Sequence, residues 1–142
     1  MDDYVQTYRL LRRYARTLPH VTIGLRGGTL GHELPAFDLL RDMGADGLVL
    51  LVLIPTPGTR YADRRPPSPG AVADLLAEAR LRFPHVPLYL GCMRPGGHYR
   101  DELDPLAVRA GVNVVVNPAR TARQLAADLG LAACQMRECC VL

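Results

Sequence analysis

Lysine is absent. All seventeen basic residues of the 142-residue chain are arginine, a bias of the kind a GC-rich coding sequence produces, and they are spread along the sequence rather than run together. With a formal net charge of +3, the composition gives no electrostatic footprint for nucleic acid, and no nucleic-acid partner is expected. Tryptophan is also absent and aromatics are only 6% of residues, so a core must come from aliphatic side chains. No run of ~18 apolar residues exists to span a bilayer, and the apolar run from Leu48 to Ile54 is far too short. The amino-terminal stretch MDDYVQTYRL lacks the basic and apolar regions of a secretory signal. A cytoplasmic location is therefore expected, with no membrane association and with reduced thiols rather than disulfides. Histidines 20, 32, 85 and 98 contain no H-x3-H pair, and the four cysteines have no zinc-finger spacing.

What is present is a regular alternation in a chain of ordinary domain size. Asp2 or Asp3 can cap a first helix running to about Thr17, with Val5, Tyr8, Leu11 and Ala15 at helical spacing. A strand is expected at Val21 to Leu25, and the turn RGGTLG leads to a helix around Leu34 to Met43, with Pro35 in its first turn and Gly44 after its end. Leu48 to Ile54 is apolar at every position, as a parallel strand covered on both faces must be. After the proline-rich loop PTPGTRYADRRPPSPG, Ser68 and Pro69 open a helix to about Phe83. Strands at Val86 to Leu90 and Val112 to Asn117, helices at Tyr99 to Ala110 and Thr121 to Leu129, and a last extended piece at Ala132 to Arg137 complete the pattern. Four strands alternating with helices predict one α/β domain over residues 1–142, a parallel sheet with right-handed crossovers, and a cysteine-containing tail at 132–142. Both half of a (βα)8 barrel and a flavodoxin-like open sheet fit the count. A complete barrel needs ~250 residues.

Residues 86 to 117 carry the most chemistry. A strand ends in Gly91-Cys92-Met93-Arg94, and a second strand follows after one helix. In parallel α/β folds, ligands bind where strands end, so Cys92 and Arg94 are candidate site residues. Equally compatible is a buried Cys92 with Arg94 paired to a nearby acid. The acidic group Asp101, Glu102 and Asp104 starts a helix, where the dipole favours negative charge.

The succession IGLRGG, LVLIPTPGT, EARLRFPHVPLYLGCMRP and AVRAGVNVVV resembles the C-terminal half of biotin-synthase-like radical S-adenosylmethionine enzymes. The terminal ECC-x-L and the stretch YLGCMRP are most similar to the two-component lipoyl synthases. The resemblance covers nearly the whole chain and implies the fifth to eighth strands of a barrel. It also implies S-adenosylmethionine and an iron–sulfur cluster as cofactors of the complete enzyme, and sulfur insertion into an octanoyl chain as its reaction. The family holds its cluster on a C-x3-C-x2-C motif, which does not occur here. The partner expected is thus a cluster-bearing N-terminal half or second subunit, or further copies of this chain.

Residue by residue, Ile23 and Gly24 with Gly27 and Gly28 look like the family's G-x-I-x-G-x-x-E turn beside the adenosine, without its acidic position. Ile54 and Pro55 match the sixth-strand end, where backbone meets adenine; a rigid X-Pro turn alone also accounts for them. Arg94 matches an arginine inside the biotin synthase barrel and is the catalytic candidate. It is also the residue expected to turn toward a ligand, because a buried guanidinium needs an anion, whereas a thiol at Cys92 can be buried at little cost. Cys92, Cys139 and Cys140 are the candidate soft-metal or cluster ligands, although adjacent cysteines fit a single tetrahedral site poorly.

Overall fold

The computed structural model describes residues 2–137. Helix and strand alternate throughout, in the order α1 (Asp2–Leu11), β1 (His20–Ile23), α2 (Glu33–Asp42), β2 (Leu48–Val52), α3 (Pro69–Arg82), β3 (Leu88–Leu90), α4 (His98–Arg109), β4 (Val114–Val115) and α5 (Arg120–Asp128). Each element was legible in the sequence, but the boundaries move. The first helix stops at Leu11 rather than Thr17: the Arg12 N–H still bonds the Tyr8 carbonyl, but those of Arg13 and Tyr14 bond only three residues back, to Leu10 and Leu11, and the Arg12 side chain donates to the Met43 carbonyl and pairs with Asp46 at 3.1 Å. The strands are shorter than the expected runs: β1 starts one residue earlier and stops at Ile23, β2 stops at Val52, β3 starts only at Leu88, and β4 keeps only Val114 and Val115. Ala132 to Arg137, expected to be extended, belongs to no strand and is exposed.

All four strands are parallel and lie in chain order, β1-β2-β3-β4. His20 pairs with Val49, Leu48 with Leu88 and Tyr89 with Val114. A flavodoxin-like sheet would set its first strand between the second and third, and that order is not observed. β1 and β4 are the edges.

Local chemistry explains the helix ends. The Ser68 hydroxyl accepts from the Ala71 N–H at 3.3 Å with Pro69 in the first turn, as Ser-Pro before a helix predicts. Gly44, at φ 68°, closes α2 with its own N–H on Arg41 and that of Ala45 on Leu40. Pro105 lies inside α4 and has no N–H for the Asp101 carbonyl. That carbonyl instead accepts the Thr121 hydroxyl of α5 at 2.8 Å.

Strand alternation gives the sheet two different faces. Ile23, Leu48, Leu50, Val52, Leu88 and Leu90 join Phe37, Leu40, Val72, Leu76, Ala79, Leu103 and Ala107 of α2, α3 and α4 in one core. In-order strands joined by right-handed crossovers put those helices on one face. The opposite face presents Thr22, Val49, Leu51, Tyr89 and Val114, none of which joins that core, and all but Val49 are partly exposed. Among the described residues, no helix is long and apolar enough to cross a membrane.

Candidate functional site

Parallel strands bring their carboxyl ends to one rim. Backbone bonding continues past the strands there: Leu53 donates to Ile23 at 3.0 Å, Val52 to Met93 at 2.9 Å and Val116 to Leu90 at 2.9 Å. Gly24, Ile54, Pro55, Cys92 and Arg94 thus all sit at or just beyond this edge, as strand ends in the sequence predicted.

Of the two readings of the β3 end, Arg94 follows the one in which it pairs with a nearby acid rather than a ligand, while Cys92 is not buried as that reading had it. Arg94 is the buried one, 1% exposed, and Cys92 is exposed. The guanidinium does have its anion, but the anion is a residue of the chain itself. Nε and Nη2 of Arg94 donate to the two Asp104 oxygens at 2.8 and 2.7 Å, and both side chains are fully buried. Nη1 donates to the Gly91 carbonyl at 2.7 Å, while the second Asp104 oxygen also accepts the Ala119 N–H at 2.8 Å. This bidentate pair therefore ties the β3 end, α4 and the turn after β4 into one unit. Arg100 braces the turn after β3, its Nη2 3.4 Å from the Cys92 and Arg94 carbonyls. Asp104 escaped the sequence reading because an acid in a helix's first turns has an adequate explanation in the dipole. The signal available was its company, with Leu103 and Ala107 placing it on the core-facing side of α4.

The glycine turn is occupied by the chain's own loop. A Cβ on Gly24 would lie 2.5 Å from Pro67, and one on Gly28 would lie 2.0 Å from the Arg65 carbonyl oxygen; Gly27 faces Tyr61 and Arg64. Residues 61–67 thus lie directly on the turn after β1. Tyr99 pins this loop from α4, donating to the Pro67 carbonyl at 2.6 Å, and burial pushes its phenol up to about 12. Earlier in the loop, Thr56-Pro57-Gly58-Thr59 forms a turn with Gly58 at φ 79° and the Thr59 N–H on the Thr56 carbonyl. Proline followed by glycine is the type II turn signature.

An acid reaches this turn from the start of α2. Glu33 opens α2, and its carboxylate accepts the N–H groups of Gly24 at 2.9 Å, Gly31 at 2.8 Å and His32 at 3.0 Å. Burial alone would raise its pKa, but these bonds, with that to its own N–H, outweigh burial and hold the carboxyl below its ordinary value.

The fit of the cofactors follows from these contacts. Ile23 is fully buried in the helix-side core, and the space over Gly24, Gly27 and Gly28 is filled, so these residues do not form an open cradle for a nucleoside. Ile54 and Pro55 are half-exposed at the rim. Cys92 and Cys134 are free and exposed, and among the described residues no three metal-ligating side chains gather. Cys139 and Cys140 lie outside the described residues. Cys92 alone does not fit a cluster site.

The arginines are less dispersed in space than in sequence. Arg26 follows β1, and Arg60, Arg64 and Arg65 lie on the loop after β2; all four are exposed on the rim. Compared with known proteins, the chain matches no protein-family model and no curated sequence.

Proposed function

We propose that this chain is one half of a (βα)8 barrel, the C-terminal half or split subunit of a radical S-adenosylmethionine sulfur-insertion enzyme of the lipoyl synthase type. The observation that carries the half-barrel is the sheet: four parallel strands in chain order, both edges open, helices on one face and an apolar opposite face outside the core. Repeating such a unit once closes eight strands, with the uncovered face as the packed interior. The reaction class rests on the resemblance of IGLRGG, LVLIPTPGT and YLGCMRP. In this reading the radical-generating cluster and S-adenosylmethionine belong chiefly to the other half, which brings the three-cysteine motif. This chain contributes Ile54, Pro55 and Cys92 at the rim, and Arg94 acts as a positioning residue through Asp104.

The test is an anaerobic mixing experiment. The chain alone, reconstituted with iron and sulfide and then reduced, forms no 5′-deoxyadenosine; paired with a chain carrying C-x3-C-x2-C, it enters a stoichiometric complex that does. Turnover by the isolated chain, or its failure to join the complex, overturns the reading. A second reading, a non-catalytic half-barrel that pairs with its own copy, is favoured by the edges themselves. A two-fold axis along the barrel sets β4 of one copy beside β1 of the other, still parallel. Light scattering that gives a dimer indifferent to the cluster-bearing chain selects it. A stable monomer in both experiments selects a small ligand-binding α/β domain.

A further inference from the structure

The four rim arginines form a surface of net positive charge: the one acid on their two loops, exposed Asp63, makes no ion pair among the described residues and offsets one of the four charges. Arg26 lies beside Gly27, against which Tyr61 and Arg64 pack, and Arg60 stacks over the Tyr61 ring at 5.6 Å. The two loops are thereby held side by side. Among the described residues, four arginines pair with acids, Arg12 with Asp46, Arg41 with Asp38 and Asp42, Arg82 with Asp38 and Glu78, and Arg94 with Asp104; of the others, the rim four are set apart by lying together on two touching loops. Among the described residues, Arg26, Arg60, Arg64 and Arg65 take part in no such pair. Glu33 is the nearest buried acid of the turn, and its carboxylate is committed to backbone N–H groups.

We infer that the loops after β1 and β2 form a docking surface for an acidic segment of another protein, gripped by Arg26, Arg60, Arg64 and Arg65. The shape decides for an extended partner over a small anion. Pro67 fills the space over Gly24 and the Arg65 backbone fills that over Gly28, so the arginines stand on a packed platform, whereas small-molecule sites are concave. Carboxylates match the planar guanidinium fork bidentately. The one aromatic of the patch, Tyr61, is covered by Arg60 and Gly27 and offers no free ring on which a nucleic-acid base could stack. This inference is independent of the radical-enzyme reading.

The test uses the full chain and a fluorescein-labelled oligoglutamate peptide followed by fluorescence anisotropy. Binding weakens steeply between about 50 and about 300 mM salt. The combination Arg26→Glu, Arg64→Glu and Arg65→Glu raises Kd by about tenfold or more. Arg9→Glu, Arg13→Glu and Arg16→Glu together change the net charge equally on the far side of the fold and leave Kd within about twofold. Thermal unfolding checks that both variants fold; if the rim variant does not, the same three positions as Gln replace it, with the same direction of change. Equal loss in both variants shows a net-charge effect and overturns the proposal, as does absence of binding at low salt. Tighter binding of a single-stranded RNA of equal charge also overturns it and assigns the surface to nucleic acid.

Discussion

At the scale of single residues, the buried Arg94–Asp104 pair is the feature with the greatest energetic consequence. Taking away one partner leaves a charge in the core with nothing to balance it, which costs about 3–5 kcal/mol. Asp104→Ala is therefore expected to lower the urea midpoint sharply. The double variant Arg94→Met with Asp104→Leu recovers most of that loss, because well-packed apolar replacements of such pairs are close to neutral. If the double variant is as unstable as the single one, the backbone bonds to Gly91 and Ala119 dominate instead. Glu33 gives a pH-dependent counterpart. Its folded-state carboxyl lies below the ordinary value of 4.5, so its contribution is complete above that pH and is lost as pH falls through the lower folded value. Glu33→Gln should destabilise the protein by about 1–3 kcal/mol at neutral pH. The gap between variant and native protein should close as pH falls well below 4.5; a gap constant with pH would show that the carboxylate's charge plays no part. Which acid pairs with Arg94, and what Glu33 holds, were not legible in the sequence, since both acids act on partners that only the fold brings near. Glu33 meets a strand end nine residues back, and Asp104 meets an arginine from the preceding turn.

Elements were more legible than residues. Ser68-Pro69, Gly44 and the continuous aliphatic run from Leu48 carry their own physical signals, and helix starts, helix stops and the central strand were found from them. The pairing range of each strand was not legible, because an apolar residue reads alike whether its backbone continues a ladder or turns away at the rim. The Cys92 and Arg94 orientations failed for a related reason: alternation would set residues two apart on one face, but both lie past the end of β3, where the chain turns, and only the position of Asp104 says which way the arginine goes. The α4–α5 contact shows how an apparent defect is absorbed. Pro105 releases the Asp101 carbonyl, and the Thr121 hydroxyl takes it. Thr121→Val should cost about 1 kcal/mol in the native protein. In a Pro105→Ala background the helix can bond that carbonyl itself, and the cost of Thr121→Val should shrink, as a double-mutant cycle of unfolding energies would show. Full additivity of the two would mean the hydroxyl is not replacing the missing N–H.

For the whole molecule, the two faces of the sheet make opposite demands. The helix side is a closed core; the other side leaves Leu51, Tyr89 and Val114 partly in water, next to an edge strand with free backbone groups. Val114→Glu, on β4, should leave the isolated fold within about 0.5 kcal/mol of native while abolishing assembly, seen as a drop in mass by light scattering. A large loss of stability without change in mass would place Val114 in the chain's own core and remove the case for a covered face. The architecture class followed from the alternation of strands and helices, but the strand order did not, because crossover length is the same for adjacent and distant strands.

That order has a consequence for how the protein is made. Since each strand pairs only with its immediate neighbours in the chain, no pairing waits for a distant segment, and each loop closed during folding spans a single crossover. The sheet can therefore lengthen strand by strand as the polypeptide emerges, each new β-strand finding its template already in place. The last to join, β4, pairs through only two residues, so the growing edge is also the least firmly held, and it is at this end that a nascent or nicked chain would come apart first.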